Sequence, residues 1–336
     1  MRSVYDILAA VIKMKSNELK EYILEKLENG DRVSGEAIAN EKNVSRAFVW
    51  KTVDSLRSDG YNINAFPNGG YMLADSDVLT EKSIRAYLCS EMKNVPIEIF
   101  DVLPSTNAYA KSKAADGCAE WTLICAKSQT AGKGRGEHTF HSPSGSGVYM
   151  SFILRPSIAA DKVLLLTTAA AVAAAGTIEE VSGRSTGIKW VNDVYIGRKK
   201  VCGILSEASL SLENFGMEYA VIGIGINAYA PEDGFPADIA NIAGAVSDKL
   251  IKDMKSRLVA GILNRMNVFY RNIIEKPFFG GYDRRLMFKG EKVRVIGREG
   301  EKEARLIGVD EDFRLLVTYP DGRNELLSSG EISVKQ

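Results

Sequence analysis

The sequence predicts an α+β protein in three parts: a winged helix-turn-helix over 1–75, a mixed α/β domain over 76–283 and a small β-barrel over 284–336. Three observations carry this. Two capped helical stretches separated by a short turn precede a glycine-rich hairpin. Buried, strand-like apolar runs then alternate with helical patterns, the signature of a mixed sheet covered by helices. Short strands with glycine turns occupy the last fifty or so residues, as in small barrels.

Composition sets the limits. A chain of 336 residues holds two or three domains with a sizeable core. Lys plus Arg and Asp plus Glu both number 43, so no overall basic field announces nucleic acid, although a local patch can do so. The cysteines (Cys89, Cys118, Cys125, Cys202) form no CxxC pair, which predicts reduced thiols and a cytoplasmic location. His138 and His141 are the only histidines. No Cys or further His joins their H-x-x-H spacing, which argues against a metal site and against a Ser-His-Asp mechanism. Residues 1–15 carry Asp6 and no cleavage signal, so no secretory peptide is expected. The apolar stretch Val163 to Gly176 is too short to span a bilayer and reads as a helix buried against a sheet. No membrane association is expected.

Taken in order, residues 17–30 form an amphipathic helix with Leu19, Tyr22, Ile23 and Leu27 on one face, ended by Asn29-Gly30. Ser34 caps a second helix through Ala39, and Asn43 tolerates the left-handed conformation of a tight turn. Ser45 caps a third helix with Val49, Val53 and Leu56 as its buried stripe. Asn62 to Leu73, folded about Pro67-Asn68-Gly69-Gly70, makes the wing. The exposed side of the third helix carries Arg46, Ala47, Trp50 and Lys51, the positions that would enter a major groove. A protein-interaction role for such a domain is the alternative.

Thr80 caps a helix to about Met92, Ile97 to Leu103 is a strand, and Pro104-Ser105-Thr106-Asn107 leads into a helix from about Ala108. Ser-Thr-Asn after a strand presents hydroxyls and a helix N-terminus together, which suits a small polar ligand, although capping alone also explains them. Between the apolar runs Leu123 to Ala126 and Val148 to Leu154 lies QTAGKGRGEHTFHSP, residues 129–143. Its glycines let backbone N–H groups approach an anion, and Lys133 and Arg135 attract one. A solvated hairpin loop is the plainer alternative. No Gly-Lys-Ser/Thr follows at Walker spacing.

Lys200 enters an otherwise apolar strand, either snorkelling or facing a ligand anion, whereas Lys199 is expected to face solvent. Val221 to Asn227 reads as a buried strand whose Gly223 and Gly225 permit close approach of a ligand, without the third glycine of a dinucleotide fingerprint. Residues 248–275 read as helical. From about Arg284 the strands Lys292 to Ile296, Ala304 to Val309, Leu315 to Tyr319 and Ser329 to Ile332 follow.

Several of these stretches together resemble the biotin protein ligases that double as repressors. Gln129, Thr130, Ala131, Gly132, Gly134, Arg135, Ser142 and Pro143 match the family's ligand loop, Lys133 replaces a usual Arg, and Phe140 a usual Trp. Gly136-Glu137-His138 departs from the usual Arg-Gly-Arg. Ser105-Thr106-Asn107 matches the family's Asp/Glu-Ser-Thr-Asn, with Pro104 in the acidic position. Lys189-Trp190-Val191-Asn192-Asp193 resembles its Lys-Trp-Pro-Asn-Asp, and Gly223-Ile224-Gly225-Ile226-Asn227 its Gly-Ile-Gly-Ile-Asn. Residues 34–61 follow the DNA-binding domain of the repressor members nearly throughout. The likeness covers almost the whole chain and leaves only residues 1–15 unexplained.

The resemblance implies a class II synthetase-like ligase domain and an SH3-like C-terminal domain. It implies that biotin and MgATP give biotinyl-5′-adenylate and pyrophosphate, and that a lysine of biotin carboxyl carrier protein (of acetyl-CoA carboxylase) then takes the biotinyl group. It assigns biotin to Ser105, Thr106, Asn107, Gln129, Lys133, Gly134, Arg135, Lys200 and Gly203. ATP or the adenylate falls to Gly132, Phe140, Asn192, Gly223, Gly225 and Asn227, with Arg135, Lys200 and Asp193 in the chemistry. Biotin operator DNA and a ligand-dependent homodimer are the implied partners. A lipoate-type ligase, or a biotin-responsive repressor that transfers nothing, are the alternatives.

Overall fold

The computed structural model describes residues 4–28, 32–67, 69–136, 138–159, 162–210, 216–297, 300–328 and 331–333. They divide into two compact units, Met1–Val78 with Leu250–Asp253, and Leu79–Lys249 with Met254–Gln336.

In the first unit, α1 (Val4–Glu28), α2 (Gly35–Lys42) and α3 (Arg46–Ser58) precede an antiparallel hairpin of β1 (Ile63–Phe66) and β2 (Gly70–Leu73). Helix α1 begins well before the amphipathic pattern at residue 17. The local signals act as expected. Ser34 accepts from the Glu36 and Ala37 N–H groups, Ser45 from that of Phe48, and Asn43 takes φ 51 to end α2. Val49, Val53 and Leu56 pack with Leu19, Ile23, Leu27, Ile38 and Ile63 into one core. The wing returns by pairing Tyr71 with Val33, and only glycine fits at 70, where φ is +80 and a Cβ would lie 2.2 Å from the Val33 carbonyl oxygen. The turn residues Asn29, Gly30 and Asn68 lie outside the described residues.

The second unit is built on a seven-stranded sheet of order β3-β4-β5-β9-β8-β7-β6. Its strands are β3 (Ile97–Leu103), β4 (Leu123–Gln129), β5 (Gly147–Leu154), β6 (Gly187–Lys189), β7 (Asp193–Ile196), β8 (Lys199–Leu210) and β9 (Met217–Asn227). Only the β3–β4 pair is parallel. Helix α5 (Thr106–Ala115) packs on β4, β5 and β9, and α6 (Val163–Ser182) packs on β8 and on α7 (Met254–Arg271). Helix α6 is long and apolar enough to cross a membrane but is largely buried in this core.

The structure corrects the sequence at several ends. Helix α4 (Glu81–Tyr87) stops five residues before Met92, and a 3-10 turn at Ser90–Met92 follows it. The Asn264 side chain of α7 accepts from the Cys89 N–H and donates to the Tyr87 carbonyl, satisfying groups that would otherwise continue the helix. Helix α7 begins at Met254 rather than 248, after Asp253 at φ 54. Helix α8 (Phe279–Arg285) was not expected, because Gly280 and Gly281 suppress the helical signal. Tyr282 holds it in place, fully buried with its ring edge-on to Phe313.

Strands β10 (Lys292–Gly297), β11 (Gly300–Val309), β12 (Leu315–Thr318), β13 (Asn324–Leu327) and β14 (Glu331–Ser333) form an antiparallel sheet of order β13-β12-β11-β10-β14. No pairing between β13 and β14 closes it among the described residues, so the expected barrel is an open sheet. Strand β13 is exposed and carries no buried alternation, which is why the sequence did not reveal it. Ser329 and Gly330 lie outside the described residues.

Helix α8 is tied to α6 by Arg285, which donates to both oxygens of Glu179 at 3.1 and 2.5 Å. That hydrogen bond, helped against burial by Thr186, holds the Glu179 carboxyl down at about 2. Because the folded value lies below the ordinary 4.5, its contribution is complete above pH 4.5 and is lost as pH falls toward 2. Arg285→Met is therefore expected to cost roughly 1–2 kcal/mol at pH 7. The difference from the parent chain should shrink near pH 2, as urea unfolding at the two pH values will show.

Candidate active site

Strands β8 and β9 pair Gly203 with Gly225 and Leu205 with Gly223, giving a floor nearly free of side chains. Two long-range contacts use it. A Cβ at Gly225 would lie 2.5 Å from the Phe140 ring, and one at Gly203 3.5 Å from it, so the ring rests on this glycine pair. A Cβ at Gly223 would lie 1.9 Å from Asn107 Oδ1. Asn107 is thereby seated on the sheet, donating to the Leu205 carbonyl and the Glu207 carboxylate and accepting from Ser151 at 2.6 Å. Burial alone would raise the Glu207 carboxyl, but hydrogen bonds from Lys111 and Asn107 outweigh it and hold it below its usual range.

Above this floor opens a cavity of about 330 Å³. At one end lies the start of α5. Gln129 Oε1 accepts from the Thr106 N–H at 2.8 Å and its hydroxyl at 3.2 Å, while Gln129 Nε2 donates to Ser142. Ser142 in turn donates to the Phe140 carbonyl, which ties the loop back to the helix start. Within the loop Lys133 bridges Thr139, and the Gly134 N–H donates to the His138 carbonyl at 2.7 Å, so 133–139 form a small hairpin. Lys133, Gly134 and Arg135 line the cavity. Gly132 does not: it is buried beneath the loop, where a Cβ would lie 2.5 Å from the Phe140 carbonyl oxygen. The absence of a side chain there serves the loop's own packing. Glu137 lies outside the described residues.

Lys200 Nζ sits 2.7 Å from Asp193 Oδ1 across the β7–β8 pair, beside a register shift between Val194 and Tyr195. Both groups are partly buried and line the cavity. Burial, reinforced by Asp193, pushes the Tyr195 hydroxyl up to about 12. Asn192 lines the cavity too, but its Nδ2 donates to the Ile204 carbonyl at 2.7 Å. The turn before it, which contains a cis Trp190–Val191 peptide, is held by Trp190 Nε1 donating to the Phe313 carbonyl and Tyr282 donating to that of Val191.

At the far end, Asn227 donates to the Gly244 carbonyl, and Phe235, Ile239, Ile242 and Ala243 of the segment after β9 form an apolar wall. Sequence reasoning missed this wall, which has no helical or strand period, and it gave no separate role to Lys189, which also lines the cavity. Lys199 is exposed as expected, yet its ammonium donates to the Ala240 and Asn241 carbonyls rather than to solvent alone.

Among the described residues, four cations, Lys133, Arg135, Lys189 and Lys200, and one carboxylate, Asp193, therefore border the cavity. Such a site suits anions. Cys202 and Cys125 are fully buried, and burial pushes both thiols up, which leaves neither as a nucleophile. His138 and His141 line the cavity, but no group of three or more His, Cys, Asp or Glu that could hold a metal occurs among the described residues. In the first unit, Arg46, Ala47, Trp50 and Lys51 are all exposed on α3, as expected, with Trp50 54% exposed.

The glycine contacts give a graded expectation. Gly223→Ala collides with Asn107 and should displace α5, lowering the thermal midpoint by several degrees, whereas Gly203→Ala meets only 3.3–3.5 Å contacts and should change it little. Differential scanning calorimetry of both variants will check this.

Residues 99–227 match the model of the biotin/lipoate A/B protein ligase family, and residues 20–72 that of an HTH domain. Over 302 residues the chain is 33% identical to the bifunctional ligase/repressor BirA of Bacillus subtilis (strain 168), covering 88% of this chain and 92% of the relative. It is 28% identical over 220 residues to BirA of Escherichia coli (strain K12), covering 64% of this chain and 65% of that one. Among solved structures, the biotin protein ligase of Aquifex aeolicus in complex with biotin and ATP is 25% identical with a TM-score of 0.58, covering 72% of this chain and 99% of that chain. The similarity to the Bacillus relative spans both the helix-turn-helix and the cavity-bearing sheet, and the chain belongs to the family of bifunctional BirA ligase/repressors.

Proposed function

We infer that this chain is an ATP-dependent biotin–protein ligase that also represses transcription. The observation that carries the ligase reading is that four cations among the described residues line one cavity whose floor and polar end are already organised. In the first step a biotin carboxylate oxygen attacks the α-phosphorus of ATP, a C–O–P anhydride forms, and pyrophosphate leaves. In the second, a carrier-protein lysine attacks the acyl carbon and AMP leaves. Both partners of the first step are anions, so the protein must cancel their repulsion and align them.

Lys200 serves as the central cation, held toward the cavity by Asp193. Lys133 and Arg135 cover the phosphates from the loop, and Lys189, from β6, adds charge. Ser105, Thr106 and Gln129 orient biotin, and Gly134 and Gly203 leave room for it. At the opposite end Asn227 and the ring of Phe140, seated on Gly225, receive the nucleotide base, while Gly223 seats Asn107 at the start of α5. Asn107 and Asn192 act by positioning, since their amides are engaged with protein carbonyls. Magnesium fits as an ion carried in on the triphosphate, with Asp193 the one carboxylate lining the cavity among the described residues. When bound it would neutralise phosphate charge.

The three-part division at 75 and 283, a class II synthetase-like ligase core and an SH3-like C-terminal sheet belong to this reading, as does a cytoplasmic location. The acceptor is read as biotin carboxyl carrier protein of acetyl-CoA carboxylase.

Lys200→Ala should lower biotinyl-adenylate formation about 10²-fold or more with the fold intact, while Arg198→Ala, two residues away and exposed, should be near neutral. Equal, small effects would remove Lys200 from the chemistry. A pyrophosphate-release assay reads both variants.

For the repressor half, Arg46 and Lys51 on one α3 supply few phosphate contacts, so a symmetric pair of units reading two half-sites is the expected form. Biotin with ATP should strengthen both dimerisation and binding to two-half-site biotin operator DNA, by linkage. Lys51→Ala should weaken operator binding and leave ligation unchanged. Gel shift and sedimentation with and without biotin and ATP check this; equal affinity in both conditions would contradict it.

A further inference from the structure

The segment from Phe235 to Gly244 forms a strap along the edge of the cavity. One turn at Pro236–Ala240 closes through the Ile239 and Ala240 N–H groups, both donating to the Pro236 carbonyl. The chain then runs beside the start of β8, with the Lys200 N–H donating to the Ile242 carbonyl at 2.8 Å and the Gly244 N–H to the Lys200 carbonyl at 2.9 Å. Ile239, Ile242 and Ala243 thereby face the cavity next to Lys200 and Asn227. The turn continues through the Ile242 and Ala243 N–H groups, which donate to the Ile239 carbonyl at 2.8 and 2.7 Å, and Ile242 is 49% exposed.

Lys199 adds a side-chain tie from β8 to this turn. Its ammonium donates to the Ala240 and Asn241 carbonyls, both at 3.0 Å. These are carbonyls at the C-terminal end of a helical turn, which carry uncancelled negative character and favour a cation. The lysine stem passes directly against the strap, since a Cβ at Gly244 would lie 2.5 Å from Lys199 Cβ. Thus two successive lysines on β8 divide the work, Lys200 facing the cavity and Lys199 reaching outward to the strap.

We propose that Lys199 is a positioning residue that pins the 235–244 strap over the end of the cavity that receives the nucleotide base. This rests on the adenylation reading above. A flat apolar base needs a wall on one face and a ring on the other. The strap supplies the wall and Phe140 the ring. Loosening the strap should weaken nucleotide binding without altering the charge that aligns the reacting atoms, so the loss should fall on KM for ATP rather than on kcat.

The test uses the full chain and the variants Lys199→Met and Lys199→Arg. With biotin saturating, Lys199→Met should raise KM for ATP about tenfold, while kcat and KM for biotin stay within about twofold. Lys199→Arg, whose guanidinium also reaches two carbonyls, should restore most of the loss. Hydrogen exchange of peptides covering 236–246, read without any substrate, should quicken in the Met variant and return in the Arg variant. An unchanged KM for ATP, an equal rise in KM for biotin, or a fall in kcat alone would overturn the proposal, as would unchanged exchange across the strap. If the parent chain released no pyrophosphate with biotin, the adenylation reading would fail by itself. The exchange experiment would still decide whether Lys199 holds the strap.

Discussion

The repulsion between a carboxylate and a triphosphate is the constraint on which this structure turns. A cavity that brings them together must supply positive charge at a fixed place, and charge on a flexible side chain is of little use until it is oriented. In the reading proposed above, the Lys200–Asp193 pair meets that need. Asp193 takes one oxygen to the ammonium and so fixes its direction, while the pairing of β7 with β8 fixes both backbones. The pair is partly exposed, so it adds little to fold stability; its value lies in orientation.

Everything nearby serves to keep that point accessible and aimed. The glycine floor of β8 and β9 removes side chains where reactants must lie, and it seats Asn107 and the Phe140 ring instead. Thr106, Gln129 and Ser142 form a chain of hydrogen bonds that sets the loop against the start of α5. On the other side, Trp190 and Tyr282 anchor the turn that carries Asn192 and Asp193 to the aromatic cluster around Phe313. An error of an ångström in any of these supports would move Asp193 or Lys133 relative to Lys200.

Much of this was legible in the sequence because the signals were local. Ser34, Asn43 and Ser45 cap or end helices through groups two to four residues away, so the helix-turn-helix could be read directly. Leu123 to Ala126 and Val148 to Leu154 are buried on both faces and read as continuous apolar runs. The misses depend on long-range contacts. Gly223 and Gly225 read as permitting close approach, but the side chains seated on them, Asn107 and the Phe140 ring, lie more than eighty residues away and could not be named from sequence. Gly132 serves loop packing, and Lys199, taken for a solvent-facing neighbour, grips a strap some forty residues on. Helix α8 and strand β13 escaped because a Gly-Gly pair and an exposed strand carry no periodic pattern. Barrel closure could not follow from strand count, since edge pairing is set by tertiary packing.

A ligase of this kind and a repressor that merely senses biotin would share the helix-turn-helix and the cavity, and a lipoate ligase would share the adenylating chemistry. Pyrophosphate release from the full chain, measured with ATP and either biotin or lipoate, separates them most directly. Release with biotin at least about a hundredfold faster than with lipoate is the result expected, since a site that hydrogen-bonds one ligand's polar groups rejects an analogue lacking them. Release with lipoate alone, or with neither acid, would contradict it.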